Sequence, residues 1–187
     1  STFIRFLAGQ IKATQGEVSK SKDLAIGYFE QNSLDQLRED ESPLQHMSRI
    51  DPYAKEQQLR SYLGSFGFNG DDVFREVGFF SGGERSRLAL AIIIWQKPNV
   101  LLLDEPTNDL DVNTLRALEE GLENFAGCGV IISHDRWFLD RICTHILAFE
   151  GDSQVYFFEG SYSDYEENKK NRLGTDVIPK RIRYKKI

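Results

Sequence analysis

The sequence predicts an α/β fold with a parallel sheet, and two apolar segments carry this prediction. Residues 99–103 and 129–132 show no alternation of polar and apolar side chains, which is typical of strands buried on both faces. Between them, residues 113–125 place Leu118 and Leu122 at helical spacing. Helices that alternate with fully apolar strands favour a parallel sheet.

The first 30 residues predict a helix followed by two short strands. The apolar side chains that share one face of the opening helix are Ile4, Phe6, Leu7 and Ile11. Gly16 is expected to break this helix. Residues 17–19 and 24–29 have the composition of short strands with polar residues between them.

The residue composition changes after residue 32. Charged and Gln-rich stretches up to about residue 74 predict helices with one solvated face. Pro43 fits the first turn of a helix that Ser42 caps. Residues 87–95, by contrast, are strongly apolar and predict a helix.

The last third of the chain predicts a strand pair between two helices. Residues 137–142 continue into a short helix, and residues 145–149 and 154–158 form two strands around a Gly-Asp turn. Residues 162–172 are polar and predict an exposed helix.

Composition limits the classes of protein that this chain represents. A net charge of −6 argues against a protein that coats nucleic acid with its whole surface. A local basic cluster ends the chain; its members are Lys180, Arg181, Arg183, Lys185 and Lys186. This cluster either binds phosphates or is simply a solvated end. No apolar run approaches the ~20 residues of a membrane span, and the two cysteines predict reduced thiols in a cytosolic protein.

A glycine-rich segment precedes the helix predicted at residues 87–95 and consists of Ser81, Gly82 and Gly83. Glycines let the backbone approach a ligand closely, and a helix start presents unpaired N–H groups with a partial positive charge. The segment therefore predicts an anion site in which Ser81 adds a hydroxyl donor. The alternative interpretation is a serine N-cap with flexible glycines.

Polar side chains follow both buried strands at the point where each strand ends. Asp104 and Glu105 come after the first strand, and His134 comes after the second. Ligands of doubly wound sheets lie at the carboxyl ends of strands. There, Asp104 can hold Mg²⁺, Glu105 can orient and deprotonate an attacking water, and His134 can bind a γ-phosphate. The alternative is that Asp104 and Glu105 merely end a strand in a turn.

Gln31 stands between a predicted strand and the helical region. A glutamine at such a hinge can contact Mg²⁺ or water and report occupancy to the helices that follow. The alternative interpretation is a strand-end cap.

These segments resemble the nucleotide-binding domain of ATP-binding cassette (ABC) proteins. Residues 81–84 are similar to the signature motif, residues 101–105 to the Walker B strand with its catalytic glutamate, and residues 108–111 to the D-loop. His134 resembles the switch histidine and Gln31 the Q-loop. Ser1 and Thr2 resemble the last two positions of a Walker A motif, so that the chain would begin inside the phosphate-binding loop.

The subgroup is indicated by two residue choices. Glu84, where transporter cassettes more often carry Gln, and Asn108, where they more often carry Ser, are similar to the ABC-F family. This family has two cassettes in one chain and no membrane domain. Residues 127–160 and the basic end look like the second cassette of energy-dependent translational throttle proteins. The first half, especially residues 27–31 and 40–43, looks closer to another ABC-F subgroup.

The resemblance implies a P-loop NTPase-type sheet with an inserted helical subdomain. Its expected parts are a partial ATPase core (1–31), the helical subdomain (32–80), the signature helix with the catalytic core (81–174) and a basic tail (175–187). The implied catalytic residues are Glu105 and His134. The implied Mg²⁺ ligands are Ser1, Gln31 and Asp104. The implied ATP-binding residues are Ser1, Thr2, Gln31, Ser81, Gly82, Gly83, Glu84 and Asp111.

The function expected from the resemblance is ATP hydrolysis, in the cytoplasm, coupled to regulation of translation. Expected partners are a second cassette, the ribosome, rRNA and tRNA, with no membrane domain. A transporter ATPase subunit is the main alternative, and a chromosome-maintenance ATPase is weaker because no sustained heptad pattern is present. The isolated chain is expected to be inactive, because the Walker A glycines and lysine are not in it.

Overall fold

A computed structural model describes residues 2–108, 110, 112–151 and 154–174, with only the backbone described at Gln31 and Asn113. Two compact units divide the chain, Ser1–His134 and Asp135–Ile187. Each unit has its own secondary structure. No helix among the described residues is long and apolar enough to cross a membrane.

A parallel three-stranded sheet forms the centre of the first unit. Its strands are β1 (Ile26–Phe29), β2 (Val100–Asp104) and β3 (Cys128–Ile132), in the order β1-β2-β3. Tyr28 pairs with Leu102, and Leu102 pairs with Val130. The predicted α/β class with a parallel sheet is therefore confirmed.

The central and outer strands differ in burial. Leu101, Leu102 and Leu103 of β2 are fully buried, as their unbroken apolar run predicts. The prediction that the second apolar segment is also buried is wrong: Cys128 and Gly129 are exposed and the rest of β3 is half-buried. The physical reason is position, because β3 lies at the edge of the described sheet and β2 lies in its middle.

The opening helix is shorter than predicted. Helix α1 spans Thr2–Leu7. Gly9 adopts a positive φ of 82°, and the N–H of Gln10 donates to the carbonyl of Arg5 at 2.9 Å. This is a glycine C-terminal cap, so the helix ends well before Gly16. The strand predicted at 17–19 is wrong, since this exposed polar stretch has no apolar face to bury.

Helices dominate the region between β1 and β2. Helix α2 spans Pro43–Ile50, α3 spans Glu56–Ser65 and α4 spans Gly82–Trp95. Short 3-10 helices cover Gln31–Gln36, Gly70–Val73 and Val77–Phe79. Ser42 caps α2 with Pro43 in the first turn, as predicted.

One apolar cluster holds these helices together. Its fully or nearly fully buried members include Met47, Leu59, Leu63, Phe68, Val77 and Leu88. Leu88 and Ala91 belong to α4, which also packs against β1. Helix α4 thus joins the sheet to the helical region. Helix α5 (Val112–Glu123) connects β2 to β3.

The second unit is a hairpin with two helices. Strands β4 (His145–Gly151) and β5 (Gln154–Glu159) pair antiparallel, between α6 (Arg136–Ile142) and α7 (Tyr162–Leu173). The predicted strand pair and both flanking helices are confirmed. Across the two units, Cys128 and Cys143 are free thiols, as predicted, and burial raises the pKa of Cys143.

Candidate functional site

The carboxyl ends of β2 and β3 meet at one edge of the sheet. Asp104 pairs with Ile132 in register, and the N–H of Glu105 donates to the Ile132 carbonyl at 2.8 Å. Because the two strands are parallel, the residues that follow each strand lie side by side. Glu105 and His134 are the residues at this edge that the sequence predicts for catalysis.

Glu105 stands in an unfavourable backbone conformation. Its φ is 52°, in the left-handed region that side chains other than glycine rarely occupy. The only other described non-glycine residue with a positive φ is Lys97. Such strain persists where the surrounding structure enforces it, and it concentrates at functional positions. Here the ladder hydrogen bond to β3 holds the strained peptide in place.

His134 contacts the Glu105 carboxylate in two ways. Its backbone N–H donates to Oε2 of Glu105 at 3.2 Å, and its ring Nε2 lies 3.4 Å from Oε1. The Glu105 side chain is 20% exposed, whereas the His134 side chain is 96% exposed. The carboxylate is therefore oriented from one side while the imidazole faces solvent. This arrangement suits a base that orients water and a cation or donor that meets an incoming anion.

A hydroxyl pair links the two loops beside these residues. Thr107 Oγ1 and Ser133 Oγ lie 2.9 Å apart. This contact was not predicted from the sequence. A signal was present, since each residue directly neighbours a predicted site segment, but a hydroxyl pair has no distinctive spacing. The contact fixes the loop after β2 against the end of β3.

Tyr28 of β1 pairs with Leu102, two residues before Asp104, and the charge of Asp104 acts on it. Burial raises the pKa of Tyr28 to about 12, assisted by its hydrogen bond to Glu30 and by the negative charges of Glu30 and Asp104. The Tyr28 hydroxyl donates to Glu30 Oε2 at 3.1 Å. Tyr28 thus remains a neutral donor at the same sheet edge across the physiological range.

The carboxylate oxygens of Asp104 suit a hard cation, but they supply only part of its ligands. Carboxylate oxygens are preferred Mg²⁺ ligands. Among the residues that the structure describes, however, no group of three or more His, Cys, Asp or Glu side chains could hold a metal. A Mg²⁺ ion at Asp104 would take most of its ligands from substrate phosphates and water, as this ion commonly does.

The predicted anion segment begins helix α4. Ser81 is the N-cap: its Oγ accepts from the N–H of Glu84 at 3.3 Å, and Glu84 Oε2 accepts from the N–H of Ser81 at 2.8 Å. The sequence allowed two interpretations of Ser81, an N-cap and a hydroxyl donor to an anion. They are compatible, because a hydroxyl oxygen that accepts a hydrogen bond still carries a hydrogen that it can donate. Ser81 and Gly82 are exposed, and Gly83 is buried.

Gly82 has open space around it. A Cβ added there would meet no heavy atom within 4 Å, and its φ is not positive. Packing within the described chain therefore does not require a glycine at this position. An external group that approaches the helix start would explain the glycine.

Two ion pairs flank the helix start. Arg75 Nη2 pairs with Glu84 Oε1, and Arg85 Nη1 pairs with Glu39 Oε1 at 3.0 Å. Arg85 also donates to the Gly78 carbonyl at 3.2 Å. Although burial opposes ionisation, hydrogen bonds from Ser81 and Arg75 hold the pKa of Glu84 below its ordinary value. Neither Arg75 nor Glu39 was identified from the sequence.

Of the remaining predicted site residues, the structure describes Thr2 and the backbone of Gln31. Thr2 is the exposed first residue of α1, and Gln31 begins the 3-10 helix Gln31–Gln36. Ser1, Asp111 and the side chain of Gln31 lie outside the described residues. The structure therefore brings Asp104, Glu105 and His134 to one sheet edge and groups 81–84 at the start of α4.

A parallel sheet with this polar edge, together with a glycine-rich helix start, is the arrangement expected of an ATP-binding cassette. The family described as ABC transporter matches residues 1–108, more than half of the chain, and the chain belongs to this family. The confirmed α/β class includes this cassette type.

Two curated relatives cover almost the whole chain. It is 48% identical over 184 residues to the probable ATP-binding protein YheS of Escherichia coli K12, covering 96% of this chain and 29% of the relative. It is 47% identical over 193 residues to the energy-dependent translational throttle protein EttA of Haemophilus influenzae, covering 100% of this chain and 34% of that one. Both are ABC-F proteins, so the ABC-F resemblance is confirmed. The chain spans about a third of the length of these relatives.

Two solved structures share the fold. The archaeal ribosome recycling factor aABCE1, in complex with the stalk protein aP1, aligns with a TM-score of 0.66 and 25% identity over 93% of this chain and 34% of its own. The ADP- and phosphate-bound cassette MJ0796 aligns with a TM-score of 0.62 and 19% identity over 84% of this chain and 79% of its own. The second similarity concerns the fold alone.

Proposed function

We propose that this chain is the second cassette of an ABC-F ATPase that hydrolyses ATP and regulates translation on the ribosome. The observation that carries the catalytic part is the strained Glu105, whose carboxylate accepts a hydrogen bond from the His134 N–H at the end of the adjacent strand. A carboxylate fixed in this way can hold a water for attack.

In the proposed reaction, water attacks the γ-phosphorus of ATP while Glu105 accepts its proton, and ADP leaves. His134 contacts the γ-phosphate and the attacking water through its exposed ring. Mg²⁺ would neutralise the developing phosphate charge, with Asp104, Ser1 and Gln31 as proposed ligands. The chain's own contribution is to hold the Glu105 carboxylate in position through the His134 N–H.

The other proposed nucleotide contacts divide between two ATP molecules. Thr2 and Gln31 serve the ATP of this cassette. Ser81, Gly82, Gly83 and Glu84 at the start of α4, with Asp111, serve the interface with ATP held by a second cassette. Two cassettes would then close around two ATP molecules. The exposure of Ser81 and Gly82 supports this role, since an interface needs them accessible.

We assign each segment of the chain a separate role. Residues 1–31 and 81–174 supply the ATPase core, residues 32–80 form a helical subdomain, and residues 175–187 form a basic tail that binds phosphates of rRNA or tRNA. The similarity of this chain to a translational throttle protein and to a ribosome recycling factor supports a ribosomal, cytoplasmic setting.

Replacement of Glu105 by Gln tests the proposal. The amide keeps the size of the side chain and cannot accept the proton, so hydrolysis should fall at least about a hundredfold while ATP binding persists. We expect this variant, in a polypeptide that carries both cassettes, to remain on ribosomes in the presence of ATP. Co-sedimentation with ribosomes and phosphate release measure both effects.

The matched control is Glu120→Gln on α5, an exposed glutamate that should leave both measurements unchanged. Absence of ATP-stabilised ribosome association in the Glu105 variant would contradict the ribosomal role. Co-purification with a membrane protein instead would favour the alternative, an ATPase subunit of an ABC transporter.

A further inference from the structure

The capping box of α4 places a negative charge at the predicted phosphate site. Glu84 Oε2 accepts the Ser81 N–H at 2.8 Å, and the low pKa of Glu84 keeps its carboxylate ionised at neutral pH. A carboxylate in the first turn stabilises the helix. The same charge opposes a polyphosphate that approaches Ser81 and Gly82, unless another group compensates it.

Arg75 is positioned to compensate this charge. Its Nη2 pairs with Glu84 Oε1, while its Nη1 lies at the longer distance of 3.7 Å from Asp72 Oδ1. Arg75 precedes α4 in the chain and belongs to the helical region. The contact with Glu84 therefore joins that region to the first turn of the signature helix.

Stacked rings hold the Arg75 guanidinium in place. It lies 4.6 Å from the ring centroid of Phe80, which stacks on Phe68 at 5.6 Å with an interplanar angle of 11°. Arg87 of α4 lies 4.8 Å from the Phe68 ring. Phe68 and Phe80 are buried in the apolar cluster of the helical region. A guanidinium held over a ring loses little further freedom when it pairs with a carboxylate.

We propose that Arg75 is a positioning residue for ATP: it neutralises Glu84, so that the start of α4 keeps a net attraction for phosphate. This inference rests on the proposed function, in which Ser81–Gly83 meet ATP held by a second cassette. Loss of Arg75 would leave the Glu84 charge uncompensated at the interface and weaken the ATP that bridges it. The fold of α4 would persist, because the capping box does not depend on Arg75.

The experiment measures steady-state ATP hydrolysis by a polypeptide that carries both cassettes. Arg75→Gln should raise KM for ATP about fivefold with kcat within about twofold, the size expected for a partly screened charge. The increase should shrink as salt rises. Arg75→Lys, which keeps the charge, should stay near the wild type.

The double variant Arg75→Gln, Glu84→Gln provides the decisive comparison. Gln can complete a capping box as Glu does, so the helix start is kept while both charges are removed. We expect KM to fall below that of the single Arg75→Gln variant, since no unbalanced charge then remains at the helix start. A merely structural role of Arg75 predicts no such rescue.

A matched control is Arg60→Gln, because Arg60 also lies over a phenylalanine ring, that of Phe74, and pairs with Glu56 of its own helix. It should leave KM unchanged. An unchanged KM in Arg75→Gln, or a double variant no better than the single one, would overturn the role of Arg75 alone. An inactive wild-type protein would overturn the proposed function instead.

Discussion

Glu105 and Gly82 are both residue types that their local structure does not favour. Glu105 accepts a backbone conformation that suits glycine, whereas Gly82 is a glycine where the described chain has room for a side chain. Neither choice is explained by packing. Both are explained if the groups that these residues serve come from outside the chain.

Gly82→Ala should separate folding from function. Alanine favours helix and its Cβ meets open space, so the melting temperature should stay the same or rise slightly. ATP hydrolysis by the two-cassette polypeptide should fall about tenfold or more, because the methyl group occupies the approach to the backbone N–H groups. Thermal unfolding and phosphate release measure the two effects.

Gly121→Ala in α5 is the control for this substitution. Gly121 also has no heavy atom within 4 Å of a built Cβ. It lies inside a helix, so alanine should stabilise the protein by about 0.5–1 kcal/mol and leave hydrolysis unchanged. Full activity in Gly82→Ala would contradict the role of Gly82 at a phosphate.

At the scale of elements, the second unit depends on a contact between a strand and a helix. Glu150 of β4 accepts from the Tyr165 hydroxyl at 2.7 Å and from Arg172 Nη2 and Nη1 at 2.7 and 3.0 Å, both on α7. The Arg172 guanidinium also lies 3.8 Å from the Tyr156 ring of β5. One carboxylate therefore anchors α7 to the hairpin.

This contact predicts a pH dependence of stability. The Arg172 hydrogen bonds, opposed by burial and assisted by Tyr165, lower the pKa of Glu150 to about 2 from an ordinary value of 4.5. A depressed carboxyl pKa stabilises the folded state fully above the ordinary value, and this stabilisation is lost as pH falls toward 2. The stability difference between wild type and Glu150→Gln should therefore shrink between pH 4.5 and 2.

Denaturant unfolding across this pH range measures the effect. The control is Glu167→Gln, an exposed glutamate of α7. The control should track the wild type at every pH. A wild-type advantage over Glu150→Gln that persists undiminished at pH 2 would contradict the assignment.

At the scale of the whole molecule, the sequence predicted the helices and strands better than their burial or their position in the sheet. The unbroken apolar run of β2 and the spacing of α5 predicted both elements, since local patterns determine strand and helix periods. The edge position of β3 was missed, because strand order depends on packing between distant segments. The closeness of Glu105 and His134 followed from parallel strands, whereas Arg75 has no motif that reveals its pairing with Glu84.

The affinity for ATP is also a property of the whole chain. The sequence contains no Gly-x-x-x-x-Gly-Lys-Ser/Thr run, and such a loop supplies backbone N–H donors and a lysine to the phosphates. We expect this 187-residue chain to bind ATP weakly or not at all. Calorimetry with ATP measures the affinity, and tight binding by the 187-residue chain would contradict the expectation.

The ladder between β2 and β3 has one further consequence. Because Asp104 pairs with Ile132, Glu105 and His134 meet only while that pairing is kept. An inserted residue within β3 would turn the following side chains to the opposite face of the sheet and displace His134 by about 3.3 Å. The same insertion in the connection between α5 and β3 would be absorbed before the strand begins. Tolerance to insertion should therefore end at Cys128, the first residue of β3, because an insertion beyond that point separates His134 from Glu105.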